Sequence, residues 1–295
     1  MGKELQVAGN FVYDGLRNLD EMHSLDSTTE IFNIMYLFSV GIERLQKVCI
    51  ILCVPDNDTN YDELMNEIKH HNHVALMTKI SNTMKIKFNS NENEFINLLN
   101  KFYKDLRYGR YSLDSYRLEE EKKDFLTFLK RFDIETEEGL FGIPNNEKIK
   151  RSIGKVVGGI CTCLYTIIKE QSRRLNLYTY EVNFNSKAFK IFVEKSFDFS
   201  MEKRALKELI VYLINNEDLK DLLEVIRNIE PLELDVHSLK AIETFYERRE
   251  LTETVEELYS HLTNQQIKQR QKIIDILTEE NIEWELVSEY LLKST

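Results

Sequence analysis

The chain has 295 residues, of which 42% are hydrophobic and 30% are charged, with only 10 glycines and 3 prolines. This composition excludes a disordered chain and disfavours a turn-rich all-β fold, so long helices are expected. The formal net charge of -11 argues against a general nucleic-acid coat, because nonspecific phosphate binding needs clustered lysine and arginine. A small local basic site is compatible with this charge.

The first 54 residues show the periodicity of two helices. Apolar residues recur at helical spacing from Phe11 to Leu19 and again from Phe32 to Leu52. The second run contains the polar cluster Glu43 to Lys47, which a bilayer core would not accept, so it predicts a buried core helix and no membrane span. The four cysteines lie in apolar runs without Cys-x-x-Cys spacing and are predicted to be reduced thiols of a cytoplasmic protein.

Four further helices are predicted before residue 133. A short one includes Leu64 to Ile68, and the next runs from about His73 to Thr83, with Asn72 as its cap. A strongly amphipathic helix follows from Glu94 to about Arg107. The last, Leu113 to Phe132, is rich in charged residues and predicts a helix with one face in solvent.

A domain boundary is predicted at residues 136–146, where Gly139, Gly142 and Pro144 interrupt the helical pattern. It divides the chain into a helical domain at 1–135 and a mainly helical domain at 147–295. The second begins with a long buried helix, Ile149 to Leu175, whose glycines allow close helix contact or a bend. Alternating apolar residues make 178–193 the one β-hairpin candidate in an otherwise all-α chain.

The segment from Arg17 to His23 is the first candidate for catalysis. Arg17 could offset the charge of a phosphorane-like transition state, while His23 could act as acid or base when a 2′-hydroxyl attacks the phosphate. Because six residues turn about 240° around a helix, the two share a face only if the helix ends or bends between them. The alternative is structural: Arg17 pairs with Asp20 or Glu21, and His23 lies at a helix C-terminus.

Two other segments are candidates for binding. His70 and His73, three residues apart, could bind a metal from one helical face, but no third ligand is evident, and a helix junction with one packed histidine is the alternative. Arginines and tyrosines alternate in Arg107 to Tyr111 and could hold phosphate and stack on a base, or simply pack at a helix end. No phosphate loop, dinucleotide fingerprint or zinc motif occurs, so no cofactor and no metal are predicted.

Three of these segments together resemble the helical domain of the HEPN superfamily, over about residues 10–132. The family has a helix with a Glu/Arg/Lys cluster, then a His-x-Leu helix, then a helix that ends in an Arg-Tyr signature. In the same order this chain has Gly41 to Lys47, then Lys69 to His73 with Leu76, then Phe102-Tyr103 and Arg107 to Tyr111. The resemblance implies a HEPN-like helical bundle. Many HEPN members are metal-independent ribonucleases of toxin-antitoxin or antiviral defence systems that act as dimers and join two Arg-x4-6-His motifs.

The resemblance gives two hypotheses for function. In the first, the chain is a homodimeric ribonuclease with catalytic Arg17 and His23, although this motif comes late in most members and early here. The residues expected to support RNA binding are Asn18, Arg107, Tyr108, Arg110 and Tyr111. In the second, the chain is a noncatalytic module that dimerises through its HEPN-like half and recruits a protein partner through its C-terminal half; a small-ligand sensor is a third alternative.

Overall fold

The structure, a computed structural model, describes residues 1–54, 60–106, 119–134, 142–178, 180–216, 220–227 and 229–276. These residues form an all-α fold, as the sequence predicts, and the one β-type pairing among them is an isolated bridge between Ser24 and Pro144. The chain divides into two compact units, Met1–Phe199 and Ser200–Thr295.

The first unit contains eight helices in its described part. They are α1 (Gly2–Glu21), α2 (Thr28–Cys53), α3 (Tyr61–Glu67), α4 (His73–Met84), α5 (Ser90–Lys101), α6 (Glu120–Leu129), α7 (Glu147–Arg174) and the single turn α8 (Lys187–Phe189). A π-helical segment, Phe102–Leu106, continues α5, and a second one, Lys190–Glu194, continues α8. Periodicity thus placed α2, α4 and α7 to within a few residues.

Polar side chains fix where several of these helices begin. Ser27 accepts a hydrogen bond from the Glu30 backbone at the start of α2, and Asn146 does the same for Ile149 at the start of α7. Asn72 accepts from Ala75, which confirms its prediction as the cap of α4. Such caps satisfy backbone N–H groups that the first helical turn leaves without a partner.

Helix α2 is the centre of the first unit. It packs against α1, α4, α5, α6 and α7, and most of its apolar residues are buried, including Phe38 and Ile42. Two glycines let α1 approach it closely. A Cβ on Gly15 would lie 2.7 Å from the ring of Phe38, and a Cβ on Gly41 would lie 2.8 Å from Val12.

Helix α7 completes the core of the first unit. It is the one helix in the described part of the chain that is long and apolar enough to cross a bilayer. Its apolar residues, such as Ile153, Ile160 and Leu164, are buried, and the helix packs against α1, α2 and α5. Gly158 lets the ring of Phe197 lie directly on the helix, so this glycine permits close contact with a non-helical segment, whereas the sequence predicts contact with another helix or a bend.

The described residues of 178–193 do not form the predicted hairpin. The Ser186 hydroxyl accepts from the Phe189 backbone at 3.2 Å and caps α8, and the helical turns continue to Glu194. Ala188, Ile191 and Phe192 are buried on one side. Their spacing of three and four residues is that of a helix, and packing against α1 overrides the short alternation that favoured a strand.

The division into units also differs from the predicted boundary at 136–146. The compact first unit continues to Phe199, because α7 packs on the helices that precede the predicted boundary. At the boundary itself, the backbone of Leu25 donates to the carbonyl of Ile143, and Ile143 donates to the Asp26 carboxylate. Gly142 and Pro144 therefore lie in a non-helical connection inside the first unit, while Gly139 lies outside the described residues.

The second unit is also helical. Its helices are α9 (Ser200–Asn215), α10 (Lys220–Arg227), α11 (Phe245–Ser260) and α12 (Asn264–Ile276), with a 3-10 helix at Val236–Ile242. The 3-10 helix packs against α11 and α9, and Lys207 of α9 forms an ion pair with Glu243. No residue of α9 is buried, and Leu206, Leu209 and Ile214 are exposed.

We expect Gly9→Ala to destabilise the protein by about 1–3 kcal/mol, although alanine is the better helix former. A Cβ at this position would lie 2.6 Å from the Cα atom of Ala188, so α8 would have to move away from α1. Urea unfolding followed by far-ultraviolet circular dichroism measures the change.

Gly159→Ala in α7 is the matched control for Gly9→Ala. Its new Cβ would meet the carboxylate end of Glu92, which can rotate away at the loss of the hydrogen bond that it accepts from the Asn89 backbone. Its free energy of unfolding should stay within about 1 kcal/mol of wild type. Equal losses of unfolding free energy in the two variants would show that the close contact between Gly9 and Ala188 does not contribute specifically to stability.

Candidate active site

Helix α1 ends between the two residues of the predicted catalytic pair. Its last residue is Glu21, and Met22 turns into extended backbone. The Arg17 Nε donates to Glu21 Oε1 at 2.5 Å, and the guanidinium lies 4.9 Å from the ring centroid of Phe199. Arg17 thus forms the ion pair that is the alternative to a catalytic role. Glu21 neutralises the positive charge that would otherwise attract a phosphate.

His23 and Asn18 lie at the junction of α1 with the segment before α7. The His23 side chain is exposed, and the backbone carbonyl of His23 accepts from the Asn145 backbone at 3.3 Å. The Asn145 amide donates to the carbonyls of Leu19 and Met22 at 2.6 and 2.9 Å. Asn18 is half-buried, and its carbonyl accepts from the Met22 backbone. Asn145 thus ties down the end of α1.

The other predicted RNA-binding residues lie outside the described residues. They are Arg107, Tyr108, Arg110 and Tyr111. Their part in binding stays a prediction from the sequence. Leu106, at the end of the π-helical segment, is the residue before Arg107 in the chain.

A second polar group forms where α2 meets the turn between α3 and α4. His71 Nδ1 donates to the Glu43 carboxylate at 2.9 Å, and Lys47 Nζ donates to the same carboxylate at 2.7 Å. Glu43 is buried, whereas the His71 side chain is 54% exposed. We call Glu43, Lys47, His71 and Tyr103 the Glu43 cluster.

Tyr103 packs against the exposed histidine of the cluster. Its ring centroid lies 4.7 Å from that of His71, and the tyrosine itself is buried. Tyr103 belongs to the π-helical segment Phe102–Leu106, and such segments often occur at functional sites. The imidazole of His71 is therefore held by a carboxylate at one edge and by an aromatic ring at one face.

His73 lies behind the cluster and is fully buried. Its Nδ1 donates to Gln46 Oε1 at 3.2 Å, while Gln46 Nε2 donates back to the His73 carbonyl at 3.0 Å. The Nε2 atom has no hydrogen-bond partner among the described residues. Burial lowers the pKa of His73 to about 4, although the nearby Glu43 charge opposes that shift.

His70 and His73 do not share the role that their spacing suggested. His70 is exposed, and its Nδ1 accepts from the Asn72 backbone at 3.1 Å, while His73 is enclosed in the core. One histidine packed in the core beside exposed ones is the arrangement expected for a helix junction, which was the alternative to a metal site. No group of three or more His, Cys, Asp or Glu side chains in the described ranges could hold a metal ion.

The Glu43 cluster has the chemistry of an oriented general acid or base. A carboxylate that accepts from Nδ1 fixes the tautomer of an imidazole and leaves Nε2 to exchange a proton with a substrate. His71 and Glu43 are 28 residues apart, so sequence spacing could not join them. The available signal was the charged pair Glu43 and Lys47, four residues apart within a polar cluster of a mainly apolar helix.

Comparison with known proteins adds no assignment. No family model matches the chain, and no curated protein or solved structure is significantly similar to it.

The stability of the protein should fall as the pH drops from about 6.5 to 4, in part because of His73. The unfolded chain binds a proton on this histidine near its ordinary pKa of 6.5, whereas the folded chain does so only near pH 4. The neutral histidine thus contributes stability above pH 6.5 that is lost toward pH 4, by about 3 kcal/mol at most.

His73→Asn isolates this contribution, because its amide can replace the donor at Nδ1 and does not titrate. The variant is expected to be less stable than wild type at pH 7 and to lose less stability on acidification. Urea unfolding at several pH values between 7 and 4 measures both slopes. Parallel curves for the two proteins would contradict the shifted pKa.

Proposed function

We propose that the chain is a HEPN-like, metal-independent ribonuclease in which His71 transfers the proton. The observation that carries this proposal is the exposed imidazole of His71, held by the buried Glu43 carboxylate and packed on Tyr103. General acid–base catalysis needs a histidine that is both oriented and accessible. His71 meets both requirements.

The reaction requires no group beyond protein side chains. His71 Nε2 takes the proton of a ribose 2′-hydroxyl, whose oxygen forms a bond to the adjacent phosphorus as the bond from phosphorus to the 5′-oxygen breaks. The leaving 5′-oxygen takes up a proton from water, and His71 later returns its own proton to the solvent. The products are a 2′,3′-cyclic phosphate and a free 5′-hydroxyl. The Glu43 carboxylate stabilises the imidazolium that forms in between.

Positive charge at the phosphate would come from two sources. The Lys47 ammonium lies beside the Glu43 carboxylate, and the Lys47 side chain is 22% exposed, so a phosphate oxygen can approach it. Arg107 and Arg110 follow the segment that carries Tyr103 in the sequence, and we propose that they hold the RNA backbone. The homodimer and the defence role implied by the resemblance belong to the same proposal.

The pair Arg17 and His23 remains the alternative catalytic centre. We favour the Glu43 cluster because a buried carboxylate there orients the exposed imidazole of His71. At either place a phosphate would have to share its cation with a carboxylate, since Arg17 is paired with Glu21 and Lys47 with Glu43.

A noncatalytic interaction module is the second candidate function. It is supported by the Arg17 and Glu21 ion pair and by the exposed apolar side chains of α9, including Leu206, Leu209 and Ile214. Exposed apolar residues on one helix are typical of surfaces that bind another protein. In this case the C-terminal unit would recruit the partner.

His71→Asn should reduce RNA cleavage in EDTA by about 10²–10⁴-fold, the usual contribution of a general acid or base. The asparagine amide can still donate to Glu43, but it has no ring nitrogen that can accept the proton of a 2′-hydroxyl. Cleavage of a mixture of structured and single-stranded RNAs, followed on gels, measures the effect, and circular dichroism checks that the helices are intact.

His70→Asn is the matched control, because His70 is the neighbouring exposed histidine and its side chain accepts from Asn72. It should cleave like wild type. Arg17→Ala and His23→Ala locate the chemistry: loss of cleavage in these two variants with full activity in His71→Asn would place it at the end of α1. No cleavage by the wild type would overturn the ribonuclease and favour the interaction module.

A further inference from the structure

Two exposed tyrosines lie side by side just beyond the C-terminus of α7. The ring centroids of Tyr178 and Tyr180 are 6.2 Å apart with 27° between the ring planes, and the two residues are 73% and 82% exposed. Stacked rings at this exposure add little to a hydrophobic core. They present aromatic surface to solvent, which is the surface that a nucleobase stacks on.

The end of α7 directs the chain toward this position. Asn176 has a positive φ of 54°, the Asn176 backbone donates to Arg173, and Leu177 donates to Ser172 at 2.8 Å. This pair of bonds is a Schellman motif, which stops the helix and turns the chain back along it. Tyr178 follows directly and lines a cavity against the last turns of α7.

The cavity has a volume of about 280 Å³, with an apolar part formed by Leu5 and Ile168 and a polar part formed by side chains of the last turns of α7. Lys169 and Arg173, one helical turn apart on α7, are exposed there together with Asn176, while Ser172 between them is buried. None of the described residues that line it is acidic, in a chain whose net charge is -11. The Glu181 carboxylate lies instead against Gly2, at the start of α1, where the helix dipole favours an anion.

We propose that this cavity and the tyrosine pair bind single-stranded nucleic acid. A base stacks on Tyr178, and Lys169 and Arg173 contact the adjacent phosphates. Aromatic faces combined with cations that follow the backbone are the common means of binding single strands without sequence preference. The site does not require that the chain cleaves RNA, and it differs from the Glu43 cluster in every residue.

Binding of a fluorescein-labelled oligothymidylate of about 12 nucleotides, measured by fluorescence anisotropy at low salt, tests this site. The oligonucleotide lacks the 2′-hydroxyl, so the proposed ribonuclease cannot cleave it and failure of that proposal leaves the assay intact. Tyr178→Ala should weaken binding about tenfold to a hundredfold. Arg173→Gln should weaken it and lower the slope of log K against log salt by about 0.7.

Two matched variants serve as controls. Tyr61→Ala removes an exposed tyrosine from α3, and Arg151→Gln removes an exposed arginine from the other end of α7. Both should bind like wild type. The proposal is overturned if the wild type does not bind, or if the controls weaken binding as much as Tyr178→Ala. It is also overturned if anionic phosphatidylserine vesicles bind through Tyr178 and the oligonucleotide does not.

Discussion

The close contact between α1 and α2 determines the arrangement of the first unit. Gly15 accommodates the ring of Phe38, and Gly41 accommodates Val12, at distances that Cβ atoms essentially never show; the Ala8 carbonyl also lies close, 3.1 Å from the Cβ position of Gly41. Because α2 also packs on α4, α5, α6 and α7, the approach of α1 sets the surface on which the other helices lie. Tight packing of this kind transmits any added volume to the neighbouring helices.

Helix α2 also buries polar side chains where it packs against the rest of the first unit. Glu43 and Gln46 are buried, and buried polar groups need partners to offset their lost hydration. Gln46 finds them on His73, and Glu43 finds them on Lys47 and His71. These bonds fix the turn between α3 and α4 on the surface of α2. The same hydrogen bonds therefore stabilise the packing of this turn and orient the imidazole of His71, the candidate catalytic histidine.

The end of α1 and the end of α7 differ in how much positive charge they leave available to a phosphate. At the end of α1, the Arg17 cation is matched by Glu21. At the end of α7, Lys169 and Arg173 line a cavity without an acidic neighbour among its described lining. An acidic protein can still offer local sites to a polyanion, since charges farther away than about 10 Å are screened at physiological salt. Net charge alone therefore does not exclude RNA as a partner.

Sequence reasoning predicted those features that depend on near neighbours in the chain. The all-α class, the positions of α2, α4 and α7, and the cap at Asn72 follow from 3.6-residue periodicity and from side chains that bond within one turn. The ion pair between Arg17 and Glu21, four residues apart, was likewise readable as one of two alternatives. The prediction of a β-hairpin at 178–193 was wrong, because a few alternating residues fit a strand and a helical turn equally well.

Helices, their caps and the apolar face that each one buries can be predicted from the chain, because these depend on interactions within a few residues. Packing of the whole unit, in contrast, selects which faces meet. It joined α7 to the first unit across the predicted boundary, and it brought His71 to Glu43 over 28 residues of chain. It also turned Tyr178 over the end of α7, beside Lys169 and Arg173. Such pairings depend on how closely helices can approach, and that is set by the shapes of side chains that are distant in sequence.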